Sequence, residues 1–546
     1  MSQPEPHDSA ETRRSRGPRR ARDADAFAAI AFACLAAACL AVWAHRVNGA
    51  TPLINDELCY LWQARVLTTG HITAEAPRHP EFVSIPPLFI RDGRRFTQYP
   101  IGFPLVLAPW VALGIPWAAN IALAAASLVL LHRFVRRIDG RAVAWIAMLL
   151  TALSPFFIAQ STAFMSHPLT LALSLALLVA LERRESAGGA LRWAALAGAT
   201  IGLAGNVSPF VAAPMALVCF ERWASARNGR DRDAGRRELA AFALPIVAGA
   251  GLFALTNFAT TGNPLTPAYF LRSYVRAGFG EEVGLGGYTL AQAVSHTKER
   301  LALLNEMLFG WPISSLLFTA PYAAAALARS VVRARARRGA RPAESSGDRW
   351  YRTLAVLFVG TVAVYAFWYS PGTASNLGPR FLYAALPTLA IFSARGVVGL
   401  AKLSGRAFGA RARLGGPLLA GALVVALVFA GTIPYLARMP ALEKPRERRA
   451  VRALLDEIAR RDIRDGTIFV KTNSSTKGPP LLFASQFAET ARLAFARSLS
   501  PRANRAFAAS RGAPPVFTAT FDPRNLGWVL REGFPDSGER AVLPLN

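Results

Sequence analysis

Apolar residues come in runs close to the length of a bilayer crossing, separated by short charged loops, and this alternation predicts membrane-spanning helices. The runs are Phe27–Trp43, Trp117–Phe134, Val143–Ile158, Leu169–Leu181, Trp193–Gly205, Val207–Phe220, Leu239–Phe258, Ile313–Ala328, Leu354–Tyr369, Phe381–Ala394 and Leu414–Tyr435. About eleven spans are therefore expected. A further apolar stretch, Ile101–Ile115, is interrupted by Pro104 and Pro109 and reads as a short span, a re-entrant segment or an interfacial helix.

The polar residues between the runs are sorted by sign. Six arginines lie between Arg13 and Arg22 with no acid among them, and basic clusters return in alternate loops at Arg133–Arg141, Arg222–Arg237, Arg329–Arg352 and Arg395–Arg413. Residues 46–100 and 260–311 are nearly balanced in charge. By the positive-inside rule the N-terminus is cytoplasmic and the balanced loops face outward. Tryptophans 43, 117, 145, 193, 223, 311, 350 and 368 fall near span ends, as an aromatic belt requires. The first run follows about 25 polar residues and lacks a small-residue cleavage site, so it reads as a retained signal-anchor.

Composition changes this picture little. The 546 residues carry a net charge of +28, yet only 18% are charged and 53% are hydrophobic. A basic nucleic-acid binder is usually polar and lysine-bearing; here only five of 62 basic residues are lysines, and most of the charge marks topology. No nucleic-acid partner is expected. Four cysteines and seven scattered histidines suggest neither a disulfide framework nor a metal site, so the metal expectation is none and cofactors stay open.

Candidate chemistry lies in the balanced loops. In the 46–100 loop, Asn55-Asp56-Glu57 opens a helical pattern with Leu58, Leu61, Trp62 and Val66 on one face and Gly70 as its stop, which suits an amphipathic helix on the outer membrane surface. The two acids serve the first turn of a helix capped by Asn55, or one of them acts as a general base just outside the membrane. Tyr60 shares a face with Asp56. In the 260–311 loop, Tyr269, Arg272, Tyr274 and Arg276 follow Gly262-Asn263-Pro264-Leu265. Arg272 and Arg276, four apart, bind an anionic lipid or phosphate, or simply face solvent and headgroups. Arg380, in Gly378-Pro379-Arg380-Phe381, starts an apolar run on an outward turn against the charge rule, and is the preferred phosphate-binding cation over a snorkelling residue. His167, in Met165-Ser166-His167-Pro168, lies on another outward turn.

These segments, in this order, resemble the GT-C glycosyltransferases, in particular the protein mannosyltransferase superfamily and its bacterial relatives, the lipid A aminoarabinose transferases. The resemblance rests on Asp56-Glu57 with Tyr60, Tyr99-Pro100-Ile101-Gly102-Phe103-Pro104, Ser154-Pro155-Phe156, the Met165–Pro168 and Gly262–Leu265 segments and Gly378–Phe381, over roughly residues 30–400. The chain departs from such relatives at Asn206-Val207-Ser208-Pro209, where an arginine often precedes the proline.

The resemblance implies an inverting transferase of a sugar from a polyprenyl-phosphate donor to a lipid, glycan or protein acceptor at the outer face of the cytoplasmic membrane. It implies Asp56 and Glu57 as catalytic residues, and Tyr60, Tyr269, Arg272, Arg276, Arg380 and His167 as substrate-binding ones. A polyprenyl-phosphate-sugar flippase or a glycan ligase would share the spans and arginines.

The expected organisation is a disordered basic tail (1–25), a GT-C-like membrane domain (26–436) and a small outward α/β domain (437–546). The last part carries a helix over Glu443–Arg461 and strands at Thr467–Lys471, Leu481–Phe483 and Val516–Thr520, with 19 basic against 11 acidic residues.

Overall fold

A computed structural model describes residues 10–85, 87–186, 189–225, 232–311, 319, 346–373, 377–407, 415–471, 479–484, 491–522, 524 and 527–535. Helix α1 (Ala10–Arg46) takes in most of the stretch expected as a tail before the first apolar run.

Helix α2 (Asn55–Thr68) follows, and Gly70, at φ +82°, ends the segment as the sequence expects. Its N-cap residue is Ile54 rather than Asn55. The capping is done instead by Glu57, whose carboxylate accepts from the Leu53 and Ile54 backbone N–H groups. Nor is α2 a half-exposed surface helix: Glu57 to Ala64 and Val66 are all buried. Structure on both sides covers it. The apolar helix α4 (Gly102–Ala112) packs against one side, and a small antiparallel sheet, β1 (Ala74–Glu75), β2 (Leu88–Arg91) and β3 (Arg94–Thr97) in the order β1-β3-β2, closes over another. Between β1 and β2 lies the short helix α3 (Pro80–Val83). At 11 residues, α4 is shorter than a bilayer crossing.

The bundle continues through α5 (Ala118–Ile138), α6 (Arg141–Ala152), α7 (Pro155–Ser161), α8 (His167–Ser186), α9 (Ala190–Val207), α10 (Pro209–Ser225), α11 (Arg232–Thr261), α12 (Leu290–Met307), α13 (Ser346–Ala366) and α14 (Leu386–Ala407). Pro155 bars its predecessor from the helical region, so Ser154 is extended, caps α7 and bends it 61° from α6. Small residues let α9 and α11 cross backbone to backbone: a Cβ on Gly249 would lie 2.6 Å from Gly202 Cα. Asn206 locks that crossing by donating to the carbonyls of Gly202 (2.9 Å) and Gly249 (2.8 Å).

Five described segments are long and apolar enough to cross a membrane: Asp23–Arg46, Ala118–Ile138, Asp233–Thr261, Arg380–Lys402 and Leu418–Ala441. The bent α6–α7 pair makes a sixth if counted as one broken span. Expected runs in α8, α9, α10 and α13 fall short of that measure for local reasons. Helix α8 is enclosed by protein on nearly every face and ends in Glu182, Arg183, Arg184 and Glu185, while α10 has 17 residues. The run expected at 313–328 lies outside the described residues apart from Thr319.

Helix α15 (Gly415–Leu427) leads through a π-helical turn into α16 (Ile433–Arg438) and then α17 (Glu443–Arg460). The terminal part is a four-stranded sheet, β4 (Gly466–Lys471), β5 (Leu493–Arg497), β6 (Val516–Asp522) and β7 (Gly527–Glu532), in the order β5-β4-β6-β7. The first three strands are parallel, and β7 is antiparallel to β6. The segment expected as a strand at Leu481–Phe483 is helical, α18 (Pro479–Ala484), because two prolines favour a helix start and it packs against β5 and α2. Helix α19 (Pro501–Ser510) covers the sheet with Phe507, which stacks on Phe82 of α3 at 4.3 Å. The terminal sheet is thereby joined to the 46–100 segment.

Candidate active site

A cavity of about 280 Å³ opens where α2, the turn before α8, the start of α10 and the turns at 267–270 and 368–381 meet. Asp56, Tyr60, His167, Tyr269 and Arg380, from four distant segments of the sequence, all line it. The same cavity takes in Tyr99, Gln98, Ser166, Ser208, Trp368 and Ser370, which no spacing rule in the sequence pointed to.

Asp56 is the only acid among the described lining residues. Its Oδ1 accepts from the Tyr99 hydroxyl at 2.7 Å, and its Oδ2 lies 3.4 Å from Arg380 Nη2. The Arg380 side chain is 14% exposed, and its Nε has no hydrogen-bond partner among the described residues. The turn that presents it is tightly set. Gly378, at φ +75°, is packed so that a Cβ would meet Met307 Sδ at 2.7 Å and the Phe156 ring at 2.9 Å. Gln160 holds the preceding residue by donating to the Leu377 carbonyl.

Glu57 points elsewhere. It is fully buried and does not line the cavity; Oε2 accepts from Leu53 and Ile54 N–H, and Oε1 from Phe164 N–H (2.9 Å) and Arg448 Nη2 (2.8 Å). With its lone pairs engaged, it ties α2 to the 162–166 turn and to α17 and has no free face for a substrate. Arg448 also donates to the Thr51 carbonyl. The sequence expectation of a second catalytic acid therefore becomes one of a positioning residue.

Nor does the structure bring the 272/276 pair into the cavity. Their spacing puts two side chains on one face only in a helix, and the helical turn here ends at Leu271. Arg276 folds back onto the carbonyls of Phe270, Arg272 and Val275, while Arg272 donates to the Tyr274 hydroxyl at 2.7 Å and lies over the Phe89 ring.

His167 begins α8 and is buried against the Phe381 ring. Burial, with the nearby Arg380 charge, holds its imidazole down to about 3, so it is a neutral lining group. Tyr60 shares a 3.3 Å hydrogen bond with Ser166, and burial next to Asp56 raises its hydroxyl above the ordinary tyrosine range. The 162–166 turn itself is held by Asn120, which donates to the carbonyls of Ala163 and Met165.

Another positioning group lies behind the opposite wall. Arg300 of α12 is fully buried and donates to the carbonyls of Tyr365, Trp368, Ser370 and Pro371, fixing the turn that carries Trp368 and Ser370. Among the described residues no three His, Cys, Asp or Glu side chains converge as a metal site would require.

No family model and no curated protein matches the chain. Solved structures do. ArnT from Cupriavidus metallidurans in the apo state aligns with a TM-score of 0.53 at 13% identity, covering 91% of this chain and 94% of that one. ArnT bound to undecaprenyl phosphate aligns at 0.51 with the same identity and coverage. This chain thus shares the overall fold of these two ArnT structures.

Proposed function

We propose that the protein is an integral membrane glycosyltransferase. It moves a sugar from a polyprenyl-phosphate donor to an acceptor hydroxyl, phosphate or glycan at the outer face of the cytoplasmic membrane, with inversion. The observation that carries this reading is the Asp56–Arg380 pair in a cavity that is also lined by the apolar side chains of Val207, Phe210, Val211 and Phe253. The shared fold supports it, because ArnT has been captured with undecaprenyl phosphate.

The chemistry follows from the two groups. The acceptor oxygen attacks the anomeric carbon as its proton passes to Asp56, while the bond from that carbon to the donor phosphate breaks. Arg380 stabilises the negative charge gathering on the leaving phosphate. Before substrate binds, the two side chains neutralise each other. A phosphate that engages Arg380 draws it off Asp56 and leaves a carboxylate ready to act. The Tyr99 hydroxyl keeps that carboxylate oriented, and the apolar side chains of the lining take the first isoprene units. In this reading the N-terminus is cytoplasmic, 26–436 is the catalytic body and 437–546 is an outward domain close to the acceptor.

The test is sugar transfer by purified protein in proteoliposomes loaded with a polyprenyl-phosphate sugar and offered envelope lipids and glycans. Product appearing with inverted configuration supports the reading. Movement of the lipid-linked sugar between leaflets without product would overturn it in favour of a flippase, and transfer only from a polyprenyl-diphosphate donor would point to a ligase.

A further inference from the structure

The cavity holds one charged pair, and the rest of its described lining is neutral. Asp56 and Arg380 face each other, His167 carries no charge at ordinary pH, and residues 374–376, next to this wall in the sequence, add no ionisable group. In place of further charge there is a run of rings. Tyr60 meets Tyr99 at 4.7 Å, Tyr99 meets Tyr269 at 5.4 Å and Tyr269 meets Trp368 at 6.2 Å between centroids. Ser166, Ser208 and Ser370 line the same cavity. Gln98 adds a side-chain amide to the lining.

Resting on the glycosyltransferase reading, we propose that the donor sugar is a single uncharged ring, a neutral pentose or hexose. Aromatic faces pack against the C–H faces of a sugar, while the hydroxyls and the amide take its polar edge. Among the described lining residues an ammonium on the sugar would find only Asp56 as counter-ion. It would consume the base and sit beside the Arg380 guanidinium. A sugar carboxylate would compete with the donor phosphate for that same guanidinium. The whole cavity, which in this reading also takes the donor phosphate, has a volume of about 280 Å³, small for an oligosaccharide beside the roughly 300–1,000 Å³ of ordinary small-ligand sites.

Isothermal titration of the full-length protein in nanodiscs separates these cases. The ligands are polyprenyl phosphate alone, and the same lipid carrying a neutral pentose, a neutral hexose, an amino pentose, a uronic acid or a neutral disaccharide. Neutral monosaccharide donors are expected to bind at least about tenfold more tightly than the charged or longer ones, the effect of leaving a charge or an unpaired polar group in such a site. Equal or tighter binding of the amino sugar, the uronic acid or the disaccharide would overturn the proposal, as would no gain of any sugar over the bare lipid. Trp368→Leu should erase most of that gain and Trp368→Phe keep it; an undiminished gain in Trp368→Leu also counts against the proposal. Tight binding of a neutral sugar without transfer to any acceptor would instead overturn the glycosyltransferase reading and leave the sugar assignment standing.

Discussion

Glu57 and Arg448 form a fully enclosed ion pair 2.8 Å apart, although 391 positions separate them in the sequence. The contact joins the residue beside Asp56 to the helix that leads into the terminal sheet. Removing either partner leaves a buried charge without its counter-ion, which costs about 3–5 kcal/mol. Glu57→Gln and Arg448→Met should each lower the unfolding temperature sharply, read by thermal melting in detergent. Arg448→Lys keeps a charge but loses one donor of the fork shared with Thr51. It should fold with reduced kcat and little change in donor KM, because Asp56 shifts while the sugar wall stays. A variant with normal kcat would mean that α17 has no hold on the base.

Asp56→Asn keeps the size and the Tyr99 hydrogen bond but removes the basic oxygen. Transfer should fall about 10²–10⁴-fold, the usual contribution of a positioned general base. Melting temperature should stay close to wild type, and the bare lipid phosphate should bind at least as tightly, because Arg380 no longer has to leave a carboxylate. Retained transfer in proteoliposomes would remove Asp56 from its role.

Arg380→Met tests the other half of the pair. Charge-assisted hydrogen bonds contribute about 1.5–3 kcal/mol, so binding of bare polyprenyl phosphate should weaken by at least about tenfold. Arg380→Lys restores a point charge without the planar fork and should recover part of the affinity. Equal affinity in all three proteins, measured by titration in nanodiscs, would move the phosphate site elsewhere.

How much of this was legible in the sequence depends on how far each contact reaches. Arg380 stood out because it starts an apolar run on the side the charge rule makes outward, whereas Asp56, an ordinary first-turn acid by itself, was singled out by the order of motifs around it. The work of Glu57 could not be read, because its partner lies in another part of the chain. Arg272 and Arg276 were paired by helical spacing that holds only if the segment is helical, and it is not beyond Leu271. Hydropathy alone does not separate a helix enclosed by other helices, such as α8, from one facing lipid, since both are apolar. Tyr99 and Trp368 were noticed only as part of a motif and of an aromatic belt, since an aromatic residue lining a cavity has no period to betray that place.

His167 supplies a pH prediction. Its folded value, held down to about 3 by burial and by Arg380, lies below the ordinary 6.5 of an exposed imidazole. On acidification the unfolded chain therefore takes up this proton first. The stability that the neutral, buried form contributes is present above pH 6.5 and is lost as the pH falls towards 3, at about 1.4 kcal/mol per unit. Between pH 6.5 and 5 the wild type should lose about 2 kcal/mol more than His167→Asn. Denaturant unfolding of both proteins in detergent at the two pH values measures this, and parallel losses would mean that the imidazole is solvated.

Arg300 tests whether the sugar wall is held from behind. Its guanidinium donates to four backbone carbonyls, and the turn so gathered carries Trp368 and Ser370, which line the cavity. A lysine carries three donors on one nitrogen and cannot span carbonyls spread from Tyr365 to Pro371. Arg300→Lys therefore leaves at least one buried carbonyl unpaired, a cost of about 1–3 kcal/mol that should appear as a lower melting temperature. The loosened turn meets the sugar rather than the base, so donor KM should rise several-fold while kcat changes less, and affinity for bare polyprenyl phosphate should not move. A drop in kcat at constant KM would show instead that the 365–371 turn governs the base, and the wall would lose its assigned part in sugar binding.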